Sequence, residues 1–139
     1  MKKIIISVLA AFITVSANAQ GSSVFKGYIY NGEYQVYINM DFYKKNIIVP
    51  NQEIYGELPG YFGANRDTRK WLFTSAEITD SATAKLEITN DYGSEDLEGT
   101  LKRLSNGTYE LEQKEGSTIK IVVNRKWVKI PKKIIFTKR

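Results

Sequence analysis

The stretch VFKGYIYNGEYQVYINMDF, residues 24–42, constrains the fold more than any other part of the chain. Apolar and polar residues alternate on both sides of Asn31-Gly32, the pair that most favours a two-residue hairpin turn because both residues accept positive φ. Such a turn opposes Tyr30 to Glu33, Ile29 to Tyr34, Gly27 to Val36 and Phe25 to Ile38. In that register Phe25, Ile29, Tyr34, Val36, Ile38, Met40 and Phe42 share one face, whereas Lys26, Gln35, Asn39 and Asp41 share the other. Tyr28, Tyr30 and Tyr37 also fall on this second face and are read as stacking across the hairpin.

The period of two continues along the chain. NIIVP and EIYGEL stop at Pro50 and Pro59, and KWLFTSAEI passes through Thr79-Asp80-Ser81 into ATAKLEITN. A helix over residues 75–87 competes there, but the threonines and the alternation of Ala82, Ala84, Leu86 and Ile88 favour strand. DYGSED, SNG and EGS are turn signals separating LEGTLKRL, TYELEQK and TIKIVVN, and RKWVKI passes Pro131 into KIIFTK. The predicted fold is all-β: a single antiparallel meander, closed into a small barrel of about eight strands because closure removes exposed edges. Trp127, Ile134, Ile135 and Phe136 are too numerous for a free tail. Ile134–Thr137 is therefore expected to pair with Val24–Tyr30 and close the barrel beyond Pro131. The expected core includes Phe25, Ile29, Val36, Ile38, Leu86, Ile88, Leu101, Leu111, Ile119 and Ile121.

The first twenty residues, MKKIIISVLAAFITVSANAQ, read as a secretory signal peptide over 1–19, cut after Ala19, with one β domain over 20–139. The apolar run Ile4–Val15 is shorter than the ~20 residues a membrane-spanning helix needs. With no cysteine to acylate as a lipid anchor, the expectation is an exported monomer, periplasmic or extracellular and not membrane-spanning. The full chain carries +5; taking off the two leader lysines leaves +3. Residues 120–139 hold eight Lys and Arg and no acid, so residues 20–119 carry −5. An acidic body on an exported chain argues against nucleic acid as partner.

The chain has no histidine and no cysteine, which excludes triads using either residue and the usual zinc sites. No phosphate-cradling Gly-rich motif occurs, and no cofactor or metal is expected. Three features remain as candidates. GELPGYFGANRDTRK, residues 56–70, reads as a long irregular loop over the barrel rim. Its flat aromatic surfaces (Tyr55, Tyr61, Phe62), its glycines (Gly56, Gly60, Gly63) and its hydrogen-bonding groups (Asn65, Arg66, Asp67, Arg69) suit contact with a protein or a glycan. The alternative is that its aromatics fold back to plug the barrel mouth. The acid cluster Asp91, Glu95, Asp96 and Glu98 could form a glycosidase carboxylate pair or a calcium loop, but reads first as a polar turn on a solvated strand. In the basic end, Lys126, Lys129, Lys132 and Lys133 form a possible anion patch, for lipopolysaccharide for example, against the simpler reading of a solvated outer face.

The leader ending SANAQ is similar to those of exported Bacteroidetes proteins, and the chain resembles the small secreted β-barrel proteins of that group. Asp80-Ser81-Ala82 resembles the O-glycosylation signal of these bacteria, which implies Ser81 as a modification site. In size, export and strand content the chain is also similar to calycin-like barrels and small periplasmic lysozyme inhibitors, although it lacks the cysteines of the commoner inhibitor pattern. The functional expectation is a non-enzymatic binding or inhibitory protein contacting an envelope protein or glycan through the 56–70 loop. The alternatives are a carboxylate-dependent glycosidase using Glu53, Glu57 or Asp67, and anion binding through the basic end.

Overall fold

The structure is a computed structural model that describes residues 23–139; the signal-peptide reading concerns residues 1–19 and lies outside them. The strands in chain order are β1 (Lys26–Asn31), β2 (Val36–Asp41), β3 (Ile47–Ile48), β4 (Glu57–Leu58), β5 (Gly60–Ala64), β6 (Asp67–Asp80), β7 (Thr83–Asn90), β8 (Asp96–Arg103), β9 (Tyr109–Gly116), β10 (Lys120–Val123), β11 (Lys126–Lys129) and β12 (Lys133–Lys138). Eight of them form a closed antiparallel barrel, β1-β2-β5-β6-β7-β8-β9-β12, with β12 back against β1. The last strand closes the ring against the first, as expected, but only at the strand ends, Ile29 opposite Lys138 and Tyr30 opposite Thr137. β3–β4 and β10–β11 are two-stranded sheets outside this ring.

The first hairpin departs from its expected register. Asn31 lies opposite Val36 and Ile29 opposite Ile38, so the turn holds four residues rather than two. The Asn31 side chain explains it: its Oδ1 accepts the Tyr34 N–H at 2.8 Å, and Gln35, not Gly32, takes the positive φ of 55°. The partner of each residue moves by four positions, an even step, so the inward face is preserved. All ten expected core residues are buried. Phe62 meets Phe136 edge-on at 6.4 Å and Phe42 meets Phe73 at 6.1 Å, so side chains fill the interior, as the width of an eight-stranded barrel requires.

Residues 56–70 are not a loop. They hold β4, β5 and the start of β6, joined by a tight turn at Asn65-Arg66. Phe62 is fully buried inside the barrel. Tyr61 points outward yet is only 6% exposed, because the β3–β4 hairpin folds back and packs Val49, Ile47 and Leu58 over Tyr61, Leu72 and Tyr37. A strand covered on both sides loses its polar alternation, which is why GYFGA did not read as one. Gly63 is required by contact rather than by φ: a Cβ there would sit 2.5 Å from the Tyr37 hydroxyl oxygen. Of the three glycines in this stretch only Gly56 has positive φ, 70°. Tyr37 stacks on Tyr28 at 5.1 Å, and burial, followed by neighbouring Tyr61 and Tyr28, pushes its phenol up to about 12.

Between β9 and β12 the chain makes an excursion that caps one end of the barrel. Ile119, Ile121 and Ile130 join the main core, with Val123 and Val128 packed against it. Asn124-Arg125, with φ of 52° and 66°, makes the two-residue turn of the β10–β11 hairpin. Buried Gln113 on β9 fastens the two ends of the cap together. Its Oε1 accepts the Ile119 N–H at 2.7 Å, and its Nε2 donates to the Ile130 and Pro131 carbonyls, each at 3.1 Å. The Trp71 indole also donates to the Lys120 carbonyl at 3.2 Å.

Candidate binding cleft at the capped end

Three segments meet where the β10–β11 hairpin leaves the barrel. The start of β6 supplies Arg69, Lys70 and Trp71, the β7–β8 turn supplies Asn90, Asp91, Tyr92, Ser94 and Glu95, and the hairpin supplies Lys120 and Trp127. Together they line a cleft of about 220 Å³. Trp127 is 58% exposed and Tyr92 76% exposed, an uncommon state for large aromatic side chains on a barrel whose interior is packed.

Both charged walls are held in place from behind. Asp67 is buried and bonded through both oxygens: its Oδ1 accepts the Arg69 backbone N–H and an Arg69 guanidinium nitrogen, each at 3.1 Å, and its Oδ2 accepts the Val122 N–H at 2.8 Å. One carboxylate thus orients Arg69 and pins the cap to β6. The Arg69 guanidinium stands 5.2 Å from the centre of the Trp127 ring and the Lys120 ammonium 5.8 Å, within cation–π range. Lys120 pairs with Glu95 at 2.7 Å. Asp91 Oδ2 accepts the Lys70 N–H at 3.0 Å, and the Asp91 carbonyl accepts the Tyr55 hydroxyl at 3.0 Å. Asn90 shapes the turn, its Oδ1 accepting the Ser94 N–H at 2.9 Å and its Nδ2 donating to Ser94 Oγ at 3.0 Å.

Of the residues the sequence singled out, Arg69 lines the cleft, Asp67 lies beneath it and Tyr55 touches its margin. Tyr61 and Phe62 are buried and offer no contact surface, which corrects the reading of 56–70 as a recognition loop. Asn65 and Arg66 bond back to the first hairpin instead, on the Tyr30 hydroxyl at 3.1 Å and the Tyr34 carbonyl at 3.2 Å. Lys126, Lys129, Lys132 and Lys133 are exposed, and none forms an ion pair among the described residues. Ser81 is exposed at the tip of the β6–β7 hairpin, beside an Asp80 carboxyl that the Ala82 N–H holds below the usual carboxylate range.

Trp127, Tyr92 and Asn90 are not legible as site residues in the sequence, whereas Lys120 belongs to the basic end read there as a possible anion patch. In the sequence Trp127 reads as one of the apolar residues that order the tail, and β11 gives no alternation strong enough to show which way it points. Asp91 and Glu95 of the acid cluster do reach the cleft, while Asp96 and Glu98 stay on the solvent face of β8. Two larger depressions, about 380 and 520 Å³, lie along the outer wall of β6–β9 and contain no aromatic side chain. Among the described residues no helix is long and apolar enough to cross a membrane. No known protein family, curated protein or solved structure matches the chain, which leaves the chemistry of this cleft to carry any functional reading.

Proposed function

We propose that the chain is a non-enzymatic binding protein of the cell envelope, periplasmic or secreted, that contacts a glycan or a protein through the cleft at the capped end of the barrel. The carrying observation is the pair of exposed aromatics, Trp127 and Tyr92, lining the same cleft as an Arg69 guanidinium oriented by a buried carboxylate. Exposed Trp, Tyr and Arg grouped around a depression are the residues that dominate binding energy at interfaces. The packed interior supports a surface site over a ligand held inside the barrel.

A glycosidase needs two free carboxyl groups roughly 5 to 10 Å apart across a cleft. Glu53 and Glu57 do not line the cleft, and Asp67 lies buried beneath it with hydrogen bonds to both oxygens. Asp91 and Glu95 do line it, but Asp91 is engaged by the Lys70 N–H and Glu95 by Lys120, which supports binding over hydrolysis. The test is retention of envelope material by the immobilised chain, compared with Trp127→Ala/Tyr92→Ala and with Ile135→Ser, a change on the barrel wall. Loss in the first variant alone is expected; equal retention by all three overturns the proposal.

A further inference from the structure

We infer that the cleft takes an acidic sugar, with one ring against Trp127, its carboxylate or phosphate on Arg69, and the rest of the glycan running over Lys129. This rests on the binding reading above and names the ligand class.

Size comes first. At about 220 Å³ the cleft falls below the ~300–1,000 Å³ typical of drug-sized sites, which suits a single ring rather than a folded epitope. Trp127 remains 58% exposed even with two cations near its ring, so part of the indole surface stays open as a platform. Asn90, Ser94 and Glu95 on the opposite wall are the polar groups that sugar hydroxyls need.

The group that favours an anion is the free half of the Arg69 guanidinium, although Asp67 pairs its other half and Asp91 and Glu95 also line the cleft. Asp67 holds one terminal nitrogen of Arg69, and the other makes no hydrogen bond among the described residues, so half of the planar fork is free and already oriented. Glu95 neutralises Lys120, but Lys129 has no such partner and lies on the same face of the hairpin as Trp127, two residues along β11. Lys126, at the hairpin tip, falls on the opposite face together with Val128 and takes no part. Lys129 thus adds positive charge beside the Trp127 surface.

A peptide adding to the free edge of β11 is the competing occupant. That strand is four residues long with lysine at both ends, the arrangement that discourages edge pairing, and strand addition would leave the Trp127 surface unused.

The experiment is calorimetric titration of the chain with an oligogalacturonate, a hexose phosphate, a neutral galactose oligomer and an oligoglutamate peptide. Expected is binding of an acidic sugar, weakened about tenfold or more by Arg69→Gln, less by Arg69→Lys, and about fivefold or more by Trp127→Ala, with affinity falling as salt rises. The uronate and phosphate arms identify which anion is preferred. Circular dichroism of each variant checks that the barrel is intact. Equal affinity for the neutral oligomer, equal affinity for the peptide, or no effect of Arg69→Gln overturns the inference. If no acidic sugar binds while envelope retention still depends on Trp127 and Tyr92, the inference fails and the binding reading stands; if retention ignores both aromatics, the reading itself fails.

Discussion

Replacing Gln113 by leucine keeps nearly the same volume and removes the fastening of the cap. Three backbone groups lose their partner: the Ile119 N–H and the carbonyls of Ile130 and Pro131. Ile119 and Ile130 are buried, so each is left without a partner at a cost of about 1–3 kcal/mol, while half-exposed Pro131 can turn to water. The apolar leucine returns about 1 kcal/mol of this through burial. The net loss is about 1–5 kcal/mol, or on the order of 10 °C in melting temperature for a domain of this size. Thermal unfolding followed by circular dichroism measures the total, and amide hydrogen exchange locates it. Exchange should accelerate at Ile119 and Val122 before it does in β7 or β8, because the cap opens first. A Gln113→Leu chain that melts within about 2 °C of the parent, with Ile119 still protected, would refute the role given to Gln113.

Removing residues 133–139 takes β12 out of a closed ring together with buried Ile134 and Phe136, at roughly 1.5–3 kcal/mol per side chain before any ladder bond is counted. The truncated chain should lose cooperative melting altogether; a normal melt with only salt-sensitive binding lost would make the tail a binding device and not a wall strand. Gly63→Ala puts a Cβ 2.5 Å from the Tyr37 hydroxyl oxygen and should cost about 1–3 kcal/mol in urea unfolding, since Tyr37 is also stacked on Tyr28. Tyr37 should titrate near 12 by phenolate absorbance, above the ordinary 10.0. Because its folded value is raised, its stabilising contribution is complete below about pH 10 and is lost as pH climbs through about 12. Melting temperature should fall over that window, less steeply in Tyr37→Phe, and identical alkaline profiles would count against this assignment.

The barrel was legible because its strands have one wet face. In β7, Ala84, Leu86 and Ile88 alternate with exposed Lys85 and Glu87, and no other arrangement buries that pattern so simply. The closing pair was legible from Pro131, which marks where the cap ends and the last strand begins. The register of the first hairpin was not, because a side-chain bond from Asn31 within the turn outweighed the backbone preference of Asn-Gly. Residues 56–70 failed for a different reason: β5 is buried by the barrel on one side and by the β3–β4 hairpin on the other, so its composition carries no alternation. The cleft was half legible. Arg69 and Asp67 stood out by type, yet their partners Trp127 and Val122 lie more than fifty residues away, and only the fold of the cap brings them together.

Recognition, in the proposal, happens at the capped end, on Trp127. The chain has two tryptophans, Trp71 buried at 4% exposure and Trp127 at 58%, so fluorine NMR of the fluorotryptophan-labelled protein has one line for each environment. Adding the envelope glycan that the chain retains should shift and broaden the Trp127 line, identified through Trp127→Phe, and leave the Trp71 line nearly in place. A glycan that co-sediments with the labelled protein while the Trp127 line stays fixed would contradict the claim.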